Sequence, residues 1–113
     1  LGGNIGASRM QFQRAVAMGK KLVSIAPVPG HNCLARSYSG LVGVELRTSN
    51  ASGAMTILAQ SLEAGRRLDE IAPSRAAKEL LIHTYLDLAW AQMESGKPEA
   101  SMQAIEQARK IGE

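Results

Sequence analysis

From Ser52 to Ile71 and the residue beyond, small or apolar side chains fall at Ala54, Leu58, Ser61, Leu62, Gly65, Leu68 and Ala72. Steps of three and four put them on one face of an α-helix. Phe12, Ala15, Val16, Gly19, Leu22 and Ala26 give the same face earlier in the chain, and Ala100, Ala104, Ala108 and Ile111 give it later. Between these stretches, Leu80, Leu81, Tyr85, Leu88, Ala89 and Gln92 mark one side of another helix, and His83, Leu86, Trp90 and Met93 a second side. Leu41-Val42-Gly43-Val44 with Leu46 also fits a strand, but its likeness to Leu86–Gln92 assigns it to a helix. Pro27 and Pro73 are expected to end their helices, because the residue before proline avoids the α region. Pro98 is expected near a helix start, where Glu99 meets the positive end of the dipole. The pattern predicts five helices, at about 6–26, 32–48, 52–72, 75–95 and 98–111.

A shift of 46 residues relates parts of the chain. Gly19-Lys20-Lys21-Leu22 and Ile25-Ala26-Pro27 return as Gly65-Arg66-Arg67-Leu68 and Ile71-Ala72-Pro73, and Leu34, Ser49 and Ala54 map onto Leu80, Ser95 and Ala100. Candidate turns at Gly3-Asn4, Ser49-Asn50 and Ser95-Gly96 fall in the same register. This predicts one helical repeat domain over 1–113, with a partial unit 1–27, a unit 28–73 and a partial unit 74–113. Leu1-Gly2-Gly3-Asn4 reads as a helix end entering a turn, and Glu113 falls opposite Arg67 inside a unit. With no initiator methionine or leader pattern at Leu1, the chain is expected to be a piece of a longer protein.

Repeated helix pairs with small residues at their crossings resemble the tetratricopeptide (TPR) family. With Gly96 as the turn glycine, Tyr85 takes the first aromatic position, Leu88-Ala89 the Leu-Gly pair, and Ser101, Ile105 and Ala108 the second-helix positions. One unit earlier these become Ser39, Val42-Gly43, Met55, Ala59 and Leu62. The unit departs from the family in its 46-residue length, in Gln92 at the second aromatic position, and in Ala72-Pro73 where Asp-Pro is usual. The resemblance implies an all-α fold, a right-handed α-α superhelix of about five antiparallel helices. It extends to the helical repeats attached to bacterial serine/threonine protein kinases and signalling ATPase regulators.

Composition supports a packed helical domain. The 113 residues are 45% hydrophobic, 20% charged and 4% aromatic, enough apolar matter to exclude disorder. No apolar run approaches the ~18 residues of a membrane span, so no membrane insertion by this segment is expected. The single cysteine, Cys33, forms no internal disulfide; with no export signal it points to the cytoplasm, or to the periplasm if a membrane span precedes Leu1. Chemistry-bearing groups are sparse. The glycines of residues 2–6 lack a phosphate-loop spacing. His31 and Cys33, two apart, do not share a helix face. His83 and Asp87, four apart, suit a helical pair. The methionines read as core fillers and groove liners. No catalytic residue, cofactor or metal is expected, nor enzymatic activity.

Three function classes follow. The first is a protein-interaction scaffold binding a peptide or protein segment on a concave face. The second is a regulatory or sensor region of a larger bacterial signalling protein such as a serine/threonine kinase. The third is nucleic-acid binding through Lys20-Lys21, Arg66-Arg67 and Arg109-Lys110; at a net charge of +3 a solvated helix face is the simpler reading of these pairs. The expected partner face comprises His83, Leu86, Trp90 and Met93, with Ser37, Val44, Arg47 and Thr48 as counterparts one unit earlier. Trp90 anchors it as a hot-spot residue or is core. Arg47 is a candidate for holding a carboxylate. Ala104, Ala108 and Ile111 are expected to leave an apolar flank through which a homodimer forms at a solenoid end.

Overall fold

The computed structural model describes residues 2–113, which form five α-helices and no strand. They are α1 (Gly2–Val23), α2 (Pro27–Arg47), α3 (Ala51–Ile71), α4 (Arg75–Glu94) and α5 (Pro98–Gly112). Leu41, Val42, Val44 and Leu46 are helical and buried in α2, so the helical alternative holds over the ambiguous run. Two boundaries differ from expectation. The expected turn at the start is helix from Gly2 onward, with Leu1 outside the described residues. Pro27 opens α2 rather than closing α1, because its missing N–H is one a first-turn residue does not need.

The remaining helix ends have local causes. Asn50 accepts from the Gly53 N–H and Ser74 from the Ala77 N–H, each at 3.0 Å, capping α3 and α4. Pro98 and Glu99 open α5. α2 and α4 stop in the same way. The Ser49 N–H reaches Leu46 O and the Asn50 N–H reaches Glu45 O; the Gly96 N–H reaches Met93 O and the Lys97 N–H reaches Gln92 O. Both turns need a left-handed residue, supplied by Ser49 at φ 59° and Gly96 at φ 74°. Serine has a Cβ that crowds this conformation. Ser49→Gly is therefore expected to raise stability by about 0.5–1 kcal/mol, measured by denaturant melts.

These two turns lie 47 residues apart, and the shift of 47 extends through the core. One cluster joins Val16 to Leu34, Ala35, Tyr38, Leu41 and Ala64. Another joins Leu62 to Leu81, Ile82, Tyr85, Leu88 and Ile111. Val16 and Leu62 are 46 apart; Leu34, Ala35, Tyr38, Leu41 and Ala64 stand 47 before Leu81, Ile82, Tyr85, Leu88 and Ile111, while Phe12, Ile57 and Leu80 of the first cluster and Ala108 of the second have no such counterpart. The buried hydroxyls Ser37 and Thr84 and the buried Val44 and Ala91 obey the same relation. The expected equivalence of Leu34 with Leu80 is thus corrected to Leu34 with Leu81. Gly19 is crossed by Leu34 and Gly65 by Leu81: a Cβ on either glycine would stand 3.0 Å or 2.9 Å from that leucine. The added residue enters at the proline turn, where α2 begins on Pro27 itself while Pro73 is followed by the separate cap Ser74.

The helices fill a slab of 41 × 40 × 18 Å. Each packs on its sequence neighbours, and α2 also meets α4; among the described residues α1 and α3 make no close approach, nor do α3 and α5. Glu45 ties the first three helices together. Its buried carboxylate accepts from Arg9 Nε of α1 at 2.9 Å and from the Asn50 side chain at 2.7 Å, satisfying a charge that would be costly alone.

Candidate partner-binding face

The exposed side of α4 is set by what its other sides touch. Ala89 faces α5, where its carbonyl accepts the Ser101 hydroxyl at 2.8 Å. Leu81 and Tyr85 face α3, whose Arg66 donates to the Tyr85 hydroxyl at 2.8 Å. Ala91 packs into the cluster shared with α2 and α3. A strip containing His83, Leu86 and Trp90 is left to solvent, with Met93 one turn on. Leu86, Trp90 and Met93 are 47%, 52% and 59% exposed. Trp90 is a surface residue and not part of the core. Its indole N–H donates to Glu94 at 3.2 Å, and beside it is a small hollow lined by Leu46, Ser49 and Ala51.

The residues expected on α2 fare differently. Ser37 and Val44 are 5% and 0% exposed; Ser37 lies one turn after Cys33, which donates to Ala15 O of α1. They do not line an open face. Arg47 and Thr48 are exposed at the end of α2, and the Thr48 hydroxyl donates to Val44 O and Glu45 O. The physical reason is the register. A one-residue slip turns a helix position by 100°, which moves the counterparts of His83, Leu86 and Trp90 from Ser37, Gly40 and Val44 to Arg36, Ser39 and Gly43. Arg36 is exposed, and a Cβ on Gly43 would meet nothing within 4 Å. The signal was present in the sequence, since the only two tyrosines, Tyr38 and Tyr85, are 47 apart.

The remaining candidates do not converge on a reaction centre. His31 lines a concavity of about 370 Å³ between α2 and α3, with Leu34, Tyr38, Gln60, Glu63 and Arg67; its Nδ1 is buried with no partner. Cys33 points instead at α1. His83 and Asp87 pair at 3.3 Å. Burial raises the Asp87 carboxyl above its ordinary range, and the nearby His83 charge acts in the opposite sense. Among the described residues no group of three or more His, Cys, Asp or Glu is placed to hold a metal ion, and no helix is long and apolar enough to cross a membrane.

Three members of the second-helix basic pairs, Arg66, Arg67 and Arg109, make bonds within the chain, while Lys20, Lys21 and Lys110 are exposed. Arg66 lies 6.0 Å from the Tyr85 ring centroid as well as bonding its hydroxyl. Arg67 pairs with Glu63. Arg109 is held between Glu106 and Glu113, and its hydrogen bond lowers the Glu106 carboxyl below its ordinary value. Two other expectations are corrected. Ala104 and Ala108 are buried against α4 and Ile111 is half-buried, so they form no bare flank; the exposed apolar residues of α5 are Met102 and Ile105, because Ser101 faces α4 and turns them outward. Met10, Met18, Met93 and Met102 are surface residues rather than core fillers, and Met55 alone is half-buried.

The chain matches no family model, no curated protein and no solved structure.

Proposed function

We propose that this chain is a non-catalytic protein-interaction scaffold, built from tetratricopeptide-like helix pairs stacked as a right-handed solenoid. In this reading α2–α3 and α4–α5 are successive pairs, and α1 is the second helix of a preceding one. The shift of 47 supports it. Moving the motif positions of α4 and α5 back by that amount gives Tyr38, Leu41, Val42, Ala54, Leu58 and Ser61, all of them buried. First helices that meet each other, with second helices that do not, suit a stack curved toward α2 and α4.

The observation that carries the functional reading is the exposure of Trp90 between Leu86 and Met93. A tryptophan half in water is an unusual outlay of apolar surface, and it is the residue type most enriched in binding hot spots. The ligand is a peptide or protein segment lying along α4, with Trp90 as its apolar anchor and Arg47 beside its end. No specific observation favours the kinase-attached reading. The engagement of Arg66, Arg67 and Arg109 in intramolecular bonds weighs against nucleic acid.

The test is selection of peptide ligands on the chain from a random library, followed by Trp90→Ala. Binding is expected to fall by at least tenfold while the helical circular-dichroism signal and Tm stay nearly constant. A loss of about 3–5 kcal/mol of stability in this variant, as for an emptied core site, would contradict the reading.

A further inference from the structure

We propose that the concavity between α2 and α3 at His31 is a binding site for a small monocarboxylic acid with a compact apolar body. It is built from the first half of α2 and the second half of α3. That is the end of the two helices away from Trp90, whose hollow is lined by Leu46, Ser49 and Ala51. Its volume of about 370 Å³ is that of an ordinary small-molecule pocket.

The apolar wall has a local cause in the sequence. Leu34 and Tyr38 of α2 and Ala64 of α3 contribute to it. Leu81, Tyr85 and Ile111 stand 47 residues on, and there the isoleucine packs onto the cluster that holds the other two. Ala64 is three carbons shorter and leaves the wall open. A largely apolar lining with a few polar groups at its edge is what holds and orients a small organic ligand.

The polar edge selects the head group. His31 Nδ1 is buried with no hydrogen-bond partner. A proton on it would be a buried donor left unpaired, which is the costly arrangement, so the imidazole proton sits on Nε2. The ring therefore brings one N–H donor to the concavity. Arg67 brings more. Its Nε stands 3.6 Å from Glu63, near enough to keep the guanidinium at this edge and too far for a hydrogen bond, so its N–H groups are left for a ligand. Gln60 adds an amide to the same lining. The carboxylate of Glu63 is already neutralised by Arg67. Donors gathered beside an apolar wall fit a carboxylate carried on an apolar body. A bare inorganic anion would leave Leu34, Tyr38 and Ala64 unused, and an amine would meet Arg67 as a like charge.

The probes are phenylpropionate, naphthoate and octanoate, titrated into the full chain and followed by NMR of the His31 ring, the Arg67 side chain and the Ala64 methyl. At least one acid is expected to bind saturably below millimolar concentration and to move all three signals together. Its uncharged amide should bind at least about tenfold more weakly, and so should the acid to Arg67→Gln, because the charge-assisted bond is lost in both. Long-range spectra of the imidazole should place the His31 proton on Nε2. Ala64→Ile puts into the wall the residue found 47 positions on and should abolish binding. Ala59→Glu does the same from the exposed edge of the lining, where the residue 47 positions on is Glu106, and it keeps the test decisive if Ala64→Ile does not fold. Trp90→Ala should leave acid binding unchanged. Absence of saturable binding by all three acids up to millimolar concentration would overturn the proposal. So would the matching amine binding as well as the acid, a His31 proton on Nδ1, equal affinity in Ala59→Glu, or loss of acid binding in Trp90→Ala, which would place the acid on the peptide face instead.

Discussion

Leu58→Ala is expected to cost about 3–5 kcal/mol of folding free energy, while Ile105→Ala costs less than about 1 kcal/mol. The two positions are 47 residues apart, yet Leu58 is 1% exposed and Ile105 49%. Truncating Leu58 opens a cavity where α2, α3 and α4 meet, among Val42, Leu46, Ala54 and Ala91, and surrounding helices collapse into such a space only in part. Truncating Ile105 removes a side chain already half in water, and alanine's better helix propensity offsets part of that loss. Urea melts of the two variants measure the difference. Equal costs would mean that Ile105 is covered in solution.

Gly30→Ala is the second large effect, an expected loss of about 2 kcal/mol or more. A Cβ at Gly30 would stand 2.6 Å from the Cα and N of Val23. Both are backbone atoms just before the turn into α2 and have no rotamer by which to yield, so the strain exceeds what alanine gains over glycine in helix propensity. The counterpart of Gly30 is Ala77, buried at 2%. A Cβ is accommodated there, where α4 begins two residues after Pro73 while α2 begins on Pro27 itself. Ala77→Gly should accordingly cost only the ~1 kcal/mol of intrinsic propensity. For a domain of this size the Gly30→Ala loss corresponds to a fall in Tm of roughly 10 °C, read by thermal melts.

The difference between these two turns also explains where sequence reading succeeded and where it slipped. Helix identity was legible because three- and four-residue steps run through every segment, even over Leu41–Leu46, where β-branched valines imitate a strand. The helix stops at Ser49 and Gly96 were legible as turns. Counterparts were assigned from Gly19–Pro27 and Gly65–Pro73, a block that lies on the near side of the added residue. Carried past Ser74, that register turned every α2 counterpart by 100° and placed the buried Val44 where the open Gly43 belongs. Tyr38 with Tyr85, Leu34 with Leu81 and Met55 with Met102 carry the other register. The sequence left Trp90 between an exposed face and the core. A tryptophan seven residues from His83 and four from Leu86 fits either side of an apolar helix, and its environment depends on how α4 is rotated against α2 and α3.

As the only tryptophan in the chain, Trp90 reports on the proposed face without any label. The most direct measurement is its fluorescence with acrylamide quenching, first in the free protein and then with a library-selected peptide bound. The account predicts a water-like, readily quenched emission in the free protein that shifts to the blue and becomes protected on binding. Emission that is already blue and protected in the free protein, or that the bound peptide leaves unchanged, would contradict it.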